Sequence, residues 1–401
     1  MFRFLFLIIL ILNFSVYALG VNDTDNKQSF EKFLQNIRTL ALSQGISNST
    51  LDKAFTGLTT NPKVIKYDRN QAEFSQNFWR YLSSRVNLYR LDRGKKNLIQ
   101  DQKILNEIYK KYGVPKHIIV AFWGLETNYG NNVGKLNLIQ SLATLAFDKR
   151  RSEFFTTQLL ALLYLIDQDK IPMGAQGSWA GAMGHTQFMP TNVVSYGVDA
   201  NQNGKLGLWD EKADIFASSA NFLKNIGWHK GELWGREITI PKDFSYQLAD
   251  LKIKKTVSEW QKLGVRNAFG KNLTESKMQA SVILPMGYFG PAFLVYRNFH
   301  AILNWNRSIL YALAVGHLSD RLIGADTLRA KPISEPSLGR NDIIQIQQIL
   351  NNLGFDAGEA DGISGPKTRL ATRKFQIANN LPADGYVGYQ LFKQLSNRPQ
   401  K

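Results

Sequence analysis

The sequence predicts a mainly α-helical (α+β) protein built from one large domain and one small one. Three observations carry that expectation. Apolar residues recur at helical spacing over much of 29–322, two prolines interrupt the chain between Lys331 and Leu338, and a separate helical periodicity begins near Gly339. With 401 residues, 44% hydrophobic and 20% charged, the chain can bury a sizeable core without covalent staples. It has no cysteine, which excludes a disulfide framework, a thiol nucleophile, an iron–sulfur cluster and a thiolate zinc site.

The chain starts with Met1-Phe2-Arg3 and an apolar run from Phe4 to Leu12, followed by Asn13, Ser15, Ala18 and Gly20. The run is too short for a comfortable transmembrane helix and has the layout of a signal peptide over residues 1–20, cleaved after Ala18 or Gly20. An uncleaved anchor helix is the alternative. No cysteine stands near the cleavage region, so a lipid-anchored form is not expected. The formal net charge of +17 suits nucleic acid, an anionic membrane surface or another acidic polymer. Export removes most of the nucleic-acid reading. The basic residues are also scattered (Lys95, Lys96, Lys110, Lys111, Lys254, Lys255). A solvated basic surface therefore stands beside attraction to an anionic polymer.

Residues 29–112 read as several amphipathic helices; Phe30, Phe33, Leu34 and Ile37 mark one such face. Pro115 opens the apolar segment Ile118–Leu125, which Gly130 closes, and a second helix is expected from Ser152 to Asp167. The chain turns glycine-rich between Gly174 and Gly184, mixes short strands into Ile238–Trp260, and reads as helix again from Phe293 to Leu322. Residues 21–330 thus form the large domain and 331–338 a linker. Residues 339–401 form a small helical module in which Ile343, Ile346, Leu350 and Leu353 are spaced three, four and three.

Four features bear on chemistry. In Phe122-Trp123-Gly124-Leu125-Glu126-Thr127-Asn128-Tyr129-Gly130, helical spacing places Glu126 on a face with Phe122, Trp123 and Tyr129. Burial against rings raises a carboxyl pKa, as a general acid acting near neutral pH requires. The bland alternative is a helix-end glutamate paired to a lysine. The segment from Gly177 to Pro190 combines small residues with Ser178, Gln187, Trp179, Met183, Phe188 and Met189, a mixture of polar edges and apolar faces that suits sugars. It reads equally well as a packing turn. Asp199, Asn201, Asn203, Gly204 and Lys205 match the opening of a calcium loop, with Asp210 at the twelfth position and Asp214 beyond. A weak calcium site on Asp199, Asn201, Asn203, Lys205 and Asp214 and a metal-free turn held by Asx bonds both fit. The five histidines show no metal spacing.

Taken together, these segments resemble the lytic transglycosylase B family. The resemblance also rests on Gln71-Ala-Glu-Phe, Tyr112-Gly-Val-Pro, Ser141-Leu-Ala-Thr-Leu-Ala-Phe-Asp-Lys-Arg-Arg151, Gly287-Tyr-Phe-Gly-Pro-Ala-Phe-Leu294 and Trp305-Asn306-Arg-Ser308. It implies a goose-lysozyme-like catalytic domain with a long sugar-binding groove. The family's catalytic glutamate falls on Glu126, and its groove residues on Ser178, Gln187, Arg150, Arg151, Asn306 and Tyr81. Tyr129, Phe222 and Trp305 complete the expected lining; Phe222 stands where a tyrosine is expected, and Trp305 replaces a hydrogen-bonding edge with a stacking face. The implied reaction cleaves the MurNAc–GlcNAc bond of peptidoglycan, with Glu126 acting first as acid and then as base while the muramoyl C6 hydroxyl closes a 1,6-anhydro ring. A hydrolytic muramidase, with Asp148 or Glu153 as a second carboxylate, is the rival, and a noncatalytic wall-binding scaffold is a more distant one.

Residues 341–395 resemble the small three-helix peptidoglycan-binding domain through Asp361-Gly362-Ile-Ser-Gly365-Pro-Lys-Thr368-Arg369, Phe375-Gln376 and Leu381-Pro-Ala-Asp384-Gly385. Export through the signal segment implies a periplasmic protein that meets no nucleic acid; its expected partner is the peptidoglycan glycan strand, with cell-wall or division machinery as further candidates, and a monomer is expected. The resemblance requires no cofactor and allows a weak structural calcium, because a comparable loop binds calcium in a relative.

Overall fold

A computed structural model describes residues 26–69 and 77–397. The segment read as a signal peptide and the Gln71-Ala-Glu-Phe motif lie outside the described residues. Among the described residues, six helices occupy the N-terminal region: Asn26–Ser43, Asn48–Phe55, Pro62–Arg69, Phe78–Arg85, Leu88–Gln100 and Gln102–Tyr112. Asparagine and serine side chains cap three of them, with Ser47 accepting from the Thr50 N–H, Asn77 from Arg80 and Asn87 from Arg90.

Two helical cores divide the large domain. One forms around the Lys116–Thr127 and Ile309–Leu322 helices, joined by Phe78, Leu91, Leu105, Phe216 and Phe299. The other gathers the Leu138–Phe147 and Ser152–Asp167 helices against Phe30, Ile37, Leu51 and Val64. Trp305 packs against both. The expected Ser152–Asp167 helix has those bounds in the structure, its register set by the buried Phe155, Leu159, Leu162, Leu163 and Ile166.

A five-stranded antiparallel sheet forms a third unit, in the order Lys255–Thr256, Gln279–Ile283, Ala292–Val295, Gly235–Thr239 and Arg266–Asn267. The expectation of helix throughout Phe293–Leu322 is corrected here, because Ala292–Val295 is the central strand and helices follow at Arg297–Trp305 and Ile309–Leu322. Phe293 and Val295 face the helical core while Ala292 and Leu294 face the sheet unit's own core. A strand covered on both faces shows no polar alternation, so its sequence is indistinguishable from buried helix.

The C-terminal module has helices at Arg340–Asn352, Pro366–Ala378 and Tyr389–Ser396 around Ile343, Ile346, Leu350, Ala371, Phe375 and Leu391. Its two Asp-Gly turns are held in the same way. The Gln347 amide donates to Asp361 Oδ1 (3.0 Å) and its Oε1 accepts from the Gly362 N–H (2.8 Å). Gln376 does the same for Asp384 and Gly385, at 2.7 and 2.8 Å. The two halves also share Gln-Ile-x-Asn-Asn-Leu (348–353 and 376–381) and Asp-Gly-x-x-Gly (361–365 and 384–388), a short internal repeat.

The linker is itself packed. Glu335, 8% exposed, accepts from Tyr386 Oη and the Tyr389 N–H (2.9 Å each), and its carbonyl accepts from Asn77 Nδ2 (2.8 Å). The second Asp-Gly turn seats on the sheet unit. Asp384 Oδ2 accepts from the Tyr288 N–H (2.8 Å), and Arg373 reaches Asp250 (3.4 Å) and the Ala249 carbonyl (3.3 Å). Gly287, at φ 72°, leaves no room for a Cβ, which would lie 2.5 Å from Asp384 Oδ2. Gly287→Ala is therefore expected to weaken docking by about 2 kcal/mol through left-handed strain and overlap. Faster proteolysis within 331–338 is the readout, and an unchanged cleavage rate would contradict it.

Candidate active site

Glu126 stands in the last turn of the Lys116–Thr127 helix. Packing on all sides, and not intrinsic propensity, sustains this helix: its β-branched run Ile118-Ile119-Val120 is wholly buried. The helix ends at Thr127, earlier than the sequence suggested. Asn128 (φ 52°), Tyr129 (φ 60°) and Gly130 (φ 84°) are all left-handed, and the first two lack glycine's freedom. The reversal sends Tyr129 back into the core. It is 3% exposed, its Oη donates to the Arg90 carbonyl (2.8 Å), and a Cβ at Gly124 would come within 2.8 Å of its ring. Tyr129 is thus corrected from groove lining to core residue.

The groups that meet Glu126 come from far along the chain. Trp305 Nε1 donates to Glu126 Oε1 at 2.9 Å, and Tyr311 Oη donates to the same oxygen at 2.5 Å. Burial lifts the carboxyl from the usual 4.5 to about 7; the donors Tyr311 and Trp305 and the Arg85 charge oppose the rise without cancelling it. Tyr81 belongs to this neighbourhood. The Arg85 guanidinium lies 5.3 Å from its ring centre, and burial, more than the nearby Glu126 charge, pushes its hydroxyl up.

An aromatic wall supports the acid. Trp305 meets Phe122 (4.5 Å between ring centres), Phe222 (4.9 Å) and Phe188 (5.2 Å), and Phe222 stacks on Tyr196 (4.8 Å). Phe222 is only 6% exposed. Its expected place on the groove surface is therefore corrected to one behind Trp305. Trp305, expected to act as a flat face, also turns its polar edge to the acid. Trp123 donates its indole N–H to His185 Nδ1 (3.1 Å) and lies nearly parallel to that ring. Burial lowers the His185 pKa, so the neutral ring carries its proton on Nε2. A Cβ at Gly130 would fall 2.3 Å from His185.

The glycine-rich segment pairs Gln176–Gly177 with Leu136–Asn137 and bridges Met183 to Phe188. A Cβ at Gly134 would lie 2.1 Å from the Gly177 backbone, so small residues here serve the packing of backbone on backbone. Ser178 Oγ accepts from the Ala182 N–H (2.9 Å), and the Gln187 amide donates to the Val133 (3.1 Å) and Gly184 (3.0 Å) carbonyls. Both side chains are half-buried, and both already brace the loop. Asn306 is exposed, and its Oδ1 accepts from the Ser308 N–H (3.1 Å) at the turn that presents Trp305.

Arg150 and Arg151 form a separate cluster around Asp68, which is 1% exposed. Arg150 donates from Nε (3.0 Å) and Nη2 (2.7 Å) to the carboxylate; Arg151 and Arg69 donate as well, and Arg69 also reaches Asp148 (2.7 Å). Burial raises the Asp68 pKa, but the hydrogen bonds and charges of Arg150 and Arg151 outweigh it and hold the carboxyl below its ordinary value. Asp68 and Tyr311 were missed in the sequence because neither stands at a spacing that signals its partner.

In the Asp199–Lys205 loop, Asp199 accepts from the Asn203 (3.1 Å) and Gly204 (2.8 Å) N–H groups, and Asn203 Oδ1 accepts from Lys205 (2.9 Å). Asp214 is fully buried and is spent on the Ala200 (2.8 Å) and Gly207 (2.9 Å) N–H groups. It shapes the loop from inside, which corrects its expected place as a ligand. Glu211, and not Asp210, accepts from the amides of Asn201 and Asn203. Among the described residues no group of three or more His, Asp or Glu is placed to hold a metal.

A mainly helical domain whose Glu126, raised in pKa by burial, stands in the last turn of a helix buried on nearly all sides and meets the donors Trp305 and Tyr311 defines the lysozyme-like class. Residues 29–320 match the model of the transglycosylase SLT domain and 339–395 that of the putative peptidoglycan binding domain, and the chain belongs to the transglycosylase SLT domain family. It is 34% identical over 228 residues to membrane-bound lytic murein transglycosylase B of Escherichia coli (strain K12), a match that covers 55% of this chain and 60% of that protein. SltB3 from Pseudomonas aeruginosa, solved in complex with NAG-anhNAM-pentapeptide, is 43% identical, covers 92% of this chain with all of its own, and superposes with a TM-score of 0.89. Slt35 of Escherichia coli in complex with calcium is 29% identical, with coverage of 75% and 93% and a TM-score of 0.62.

Proposed function

We propose that this protein is a peptidoglycan lytic transglycosylase that cleaves the MurNAc–GlcNAc β-1,4 bond with Glu126 as its acid and then its base. The observation that carries the reading is the Glu126 carboxyl, raised to about 7 by burial and met by two donors, Trp305 and Tyr311; Asp320, which burial also raises to about 7, instead accepts from Trp234 Nε1 (3.0 Å). The groups acting on Glu126 are Tyr311, Trp305 and Arg85, none of them a carboxylate. Asp148 is bonded to Arg69 and to the Arg150 N–H, and Glu153 is exposed in the first turn of its helix. A hydrolase needs a second carboxyl to activate water or to form a covalent intermediate. One acid suffices when the nucleophile is the sugar's own C6 hydroxyl.

In the first step Glu126 gives its proton to the glycosidic oxygen, and the bonding pair of the breaking C–O bond stays with that oxygen. The C6 hydroxyl oxygen then bonds to the anomeric carbon and its proton passes to the Glu126 carboxylate. The enzyme ends in its starting protonation state and no water is consumed. Because the first step needs protonated Glu126, kcat/KM on purified sacculi is expected to fall about tenfold per pH unit above about 7. Release of soluble fragments measured between pH 5 and 9 checks this, and a flat profile across that range would contradict it.

The protein is proposed to be exported through its N-terminal segment and to act in the periplasm as a monomer without a lipid anchor. Its C-terminal module would hold the glycan strand near the groove and raise the local substrate concentration. Among the described residues no helix is long and apolar enough to cross a membrane. The Asp199–Lys205 loop has the oxygen donors a hard cation takes. With Asp199 as the loop's own carboxylate and Glu211 reaching its asparagine amides from outside, it would bind calcium weakly and in a structural role.

A further inference from the structure

We infer that Trp305 is a positioning residue that fixes the acidic proton of Glu126 on Oε2, the oxygen that then serves both proton transfers. The inference rests on the proposed role of Glu126. An indole N–H can donate but cannot accept. Trp305 Nε1 points at Oε1 from 2.9 Å, so a proton on Oε1 would face another donor hydrogen. The Tyr311 hydroxyl, at 2.5 Å from the same oxygen, leaves the choice open by itself, since a hydroxyl can donate to Oε1 or accept from it. Trp305 removes that freedom. With the tryptophan in place Tyr311 also donates, Oε1 becomes the carbonyl oxygen of a neutral acid, and the proton belongs to Oε2. Among the described residues no hydrogen bond to Oε2 competes for that proton.

The orientation of the indole is held by its packing against Phe122, Phe188 and Phe222, whose ring centres lie 4.5, 5.2 and 4.9 Å from its own. The backbone holds it as well. Trp305 ends the Arg297–Trp305 helix, and Asn306 caps the turn to Ser308 that starts the helix bearing Tyr311. One short turn thus carries both donors. After the first step the same two N–H and O–H groups face a carboxylate, and they stabilise its charge without competing for the C6 proton that returns to Oε2.

The test is infrared spectroscopy of the mature protein at pH 5, in which the carboxylic C=O stretch of Glu126 is identified as the band lost in Glu126→Gln. Two changes remove the donor. Trp305→Phe does so with some loss of packing, and replacement of Trp305 by its benzothienyl analogue, with sulfur in place of N–H, does so at nearly constant shape. With the proton on Oε2 the stretching oxygen is Oε1, so loss of the indole donor moves the band to higher wavenumber in both variants. The alkaline limb of the pH profile should rise by about one unit, as a donor to the carboxylate is lost, and kcat should fall roughly tenfold. A band that stays in place while kcat falls would mean that Trp305 only packs. Absence of a protonated band at pH 5 would also overturn the inference. Neither result depends on whether the products are anhydro or hydrolytic, so failure here is separable from failure of the proposed reaction.

Discussion

Glu126→Gln is expected to lose sugar-releasing activity by at least about a hundredfold while becoming more stable than the wild type above pH 7. The loss follows from removing the proton donor. The gain follows from linkage. In the unfolded chain this carboxyl ionises near 4.5, and in the folded protein near 7. Below 4.5 both states are protonated and the group costs nothing. As pH rises from 4.5 to 7 only the unfolded state ionises, so folding becomes progressively less favourable, and above 7 the penalty is constant at no more than about 3 kcal/mol. Glutamine fits the same place, because its carbonyl can accept from Trp305 and Tyr311 as Oε1 does, while its NH₂ stands where the acid carries its proton. Thermal unfolding at pH 5 and pH 8 checks the argument: the variant's advantage should be larger at pH 8. Equal differences at both values would mean that the acid is not held neutral by burial.

Asp68→Asn is expected to destabilise the protein by about 3 kcal/mol and to raise KM more than it lowers kcat. The substitution removes the charge that Arg69, Arg150 and Arg151 share, leaving three guanidinium groups in mutual repulsion. The estimate sits at the lower end of the range for a broken buried pair because the arginines are 39–47% exposed. Since the Asp68 pKa is depressed, its contribution is present above the ordinary carboxylate range and is lost only as pH falls through the lower folded value. Chemical unfolding at pH 7 and pH 3 should therefore show a smaller difference at the acid value. An unchanged stability at pH 7 would show that solvent already screens the cluster.

What the sequence disclosed follows the range of its signals. Helical spacing located the Ser152–Asp167 helix and the helix bearing Glu126, because burial at intervals of three and four is a local property. The partners of the acid were not local. Trp305 and Tyr311 stand 179 and 185 residues from Glu126, and only the packing of the Ile309–Leu322 helix against the Lys116–Thr127 helix brings them together. Tyr129 was misplaced because its spacing assumes a helix running past Thr127, whereas the chain reverses through left-handed residues that are not glycine. Asp68 gave no sign at all, being an ordinary acid in an eight-residue helix until three arginines enclose it. The calcium-like loop was legible as a loop, but the sequence did not show that Asp214 faces inward and Glu211 outward.

The central claim is that Glu126 alone drives cleavage with the sugar's own hydroxyl as nucleophile. The most direct test digests purified peptidoglycan with the mature protein and with Glu126→Gln and reads the products by mass spectrometry. The account predicts muropeptides lighter by one water than hydrolytic fragments, from the wild type only. Fragments with ordinary reducing ends would contradict it and require a second carboxylate at the site.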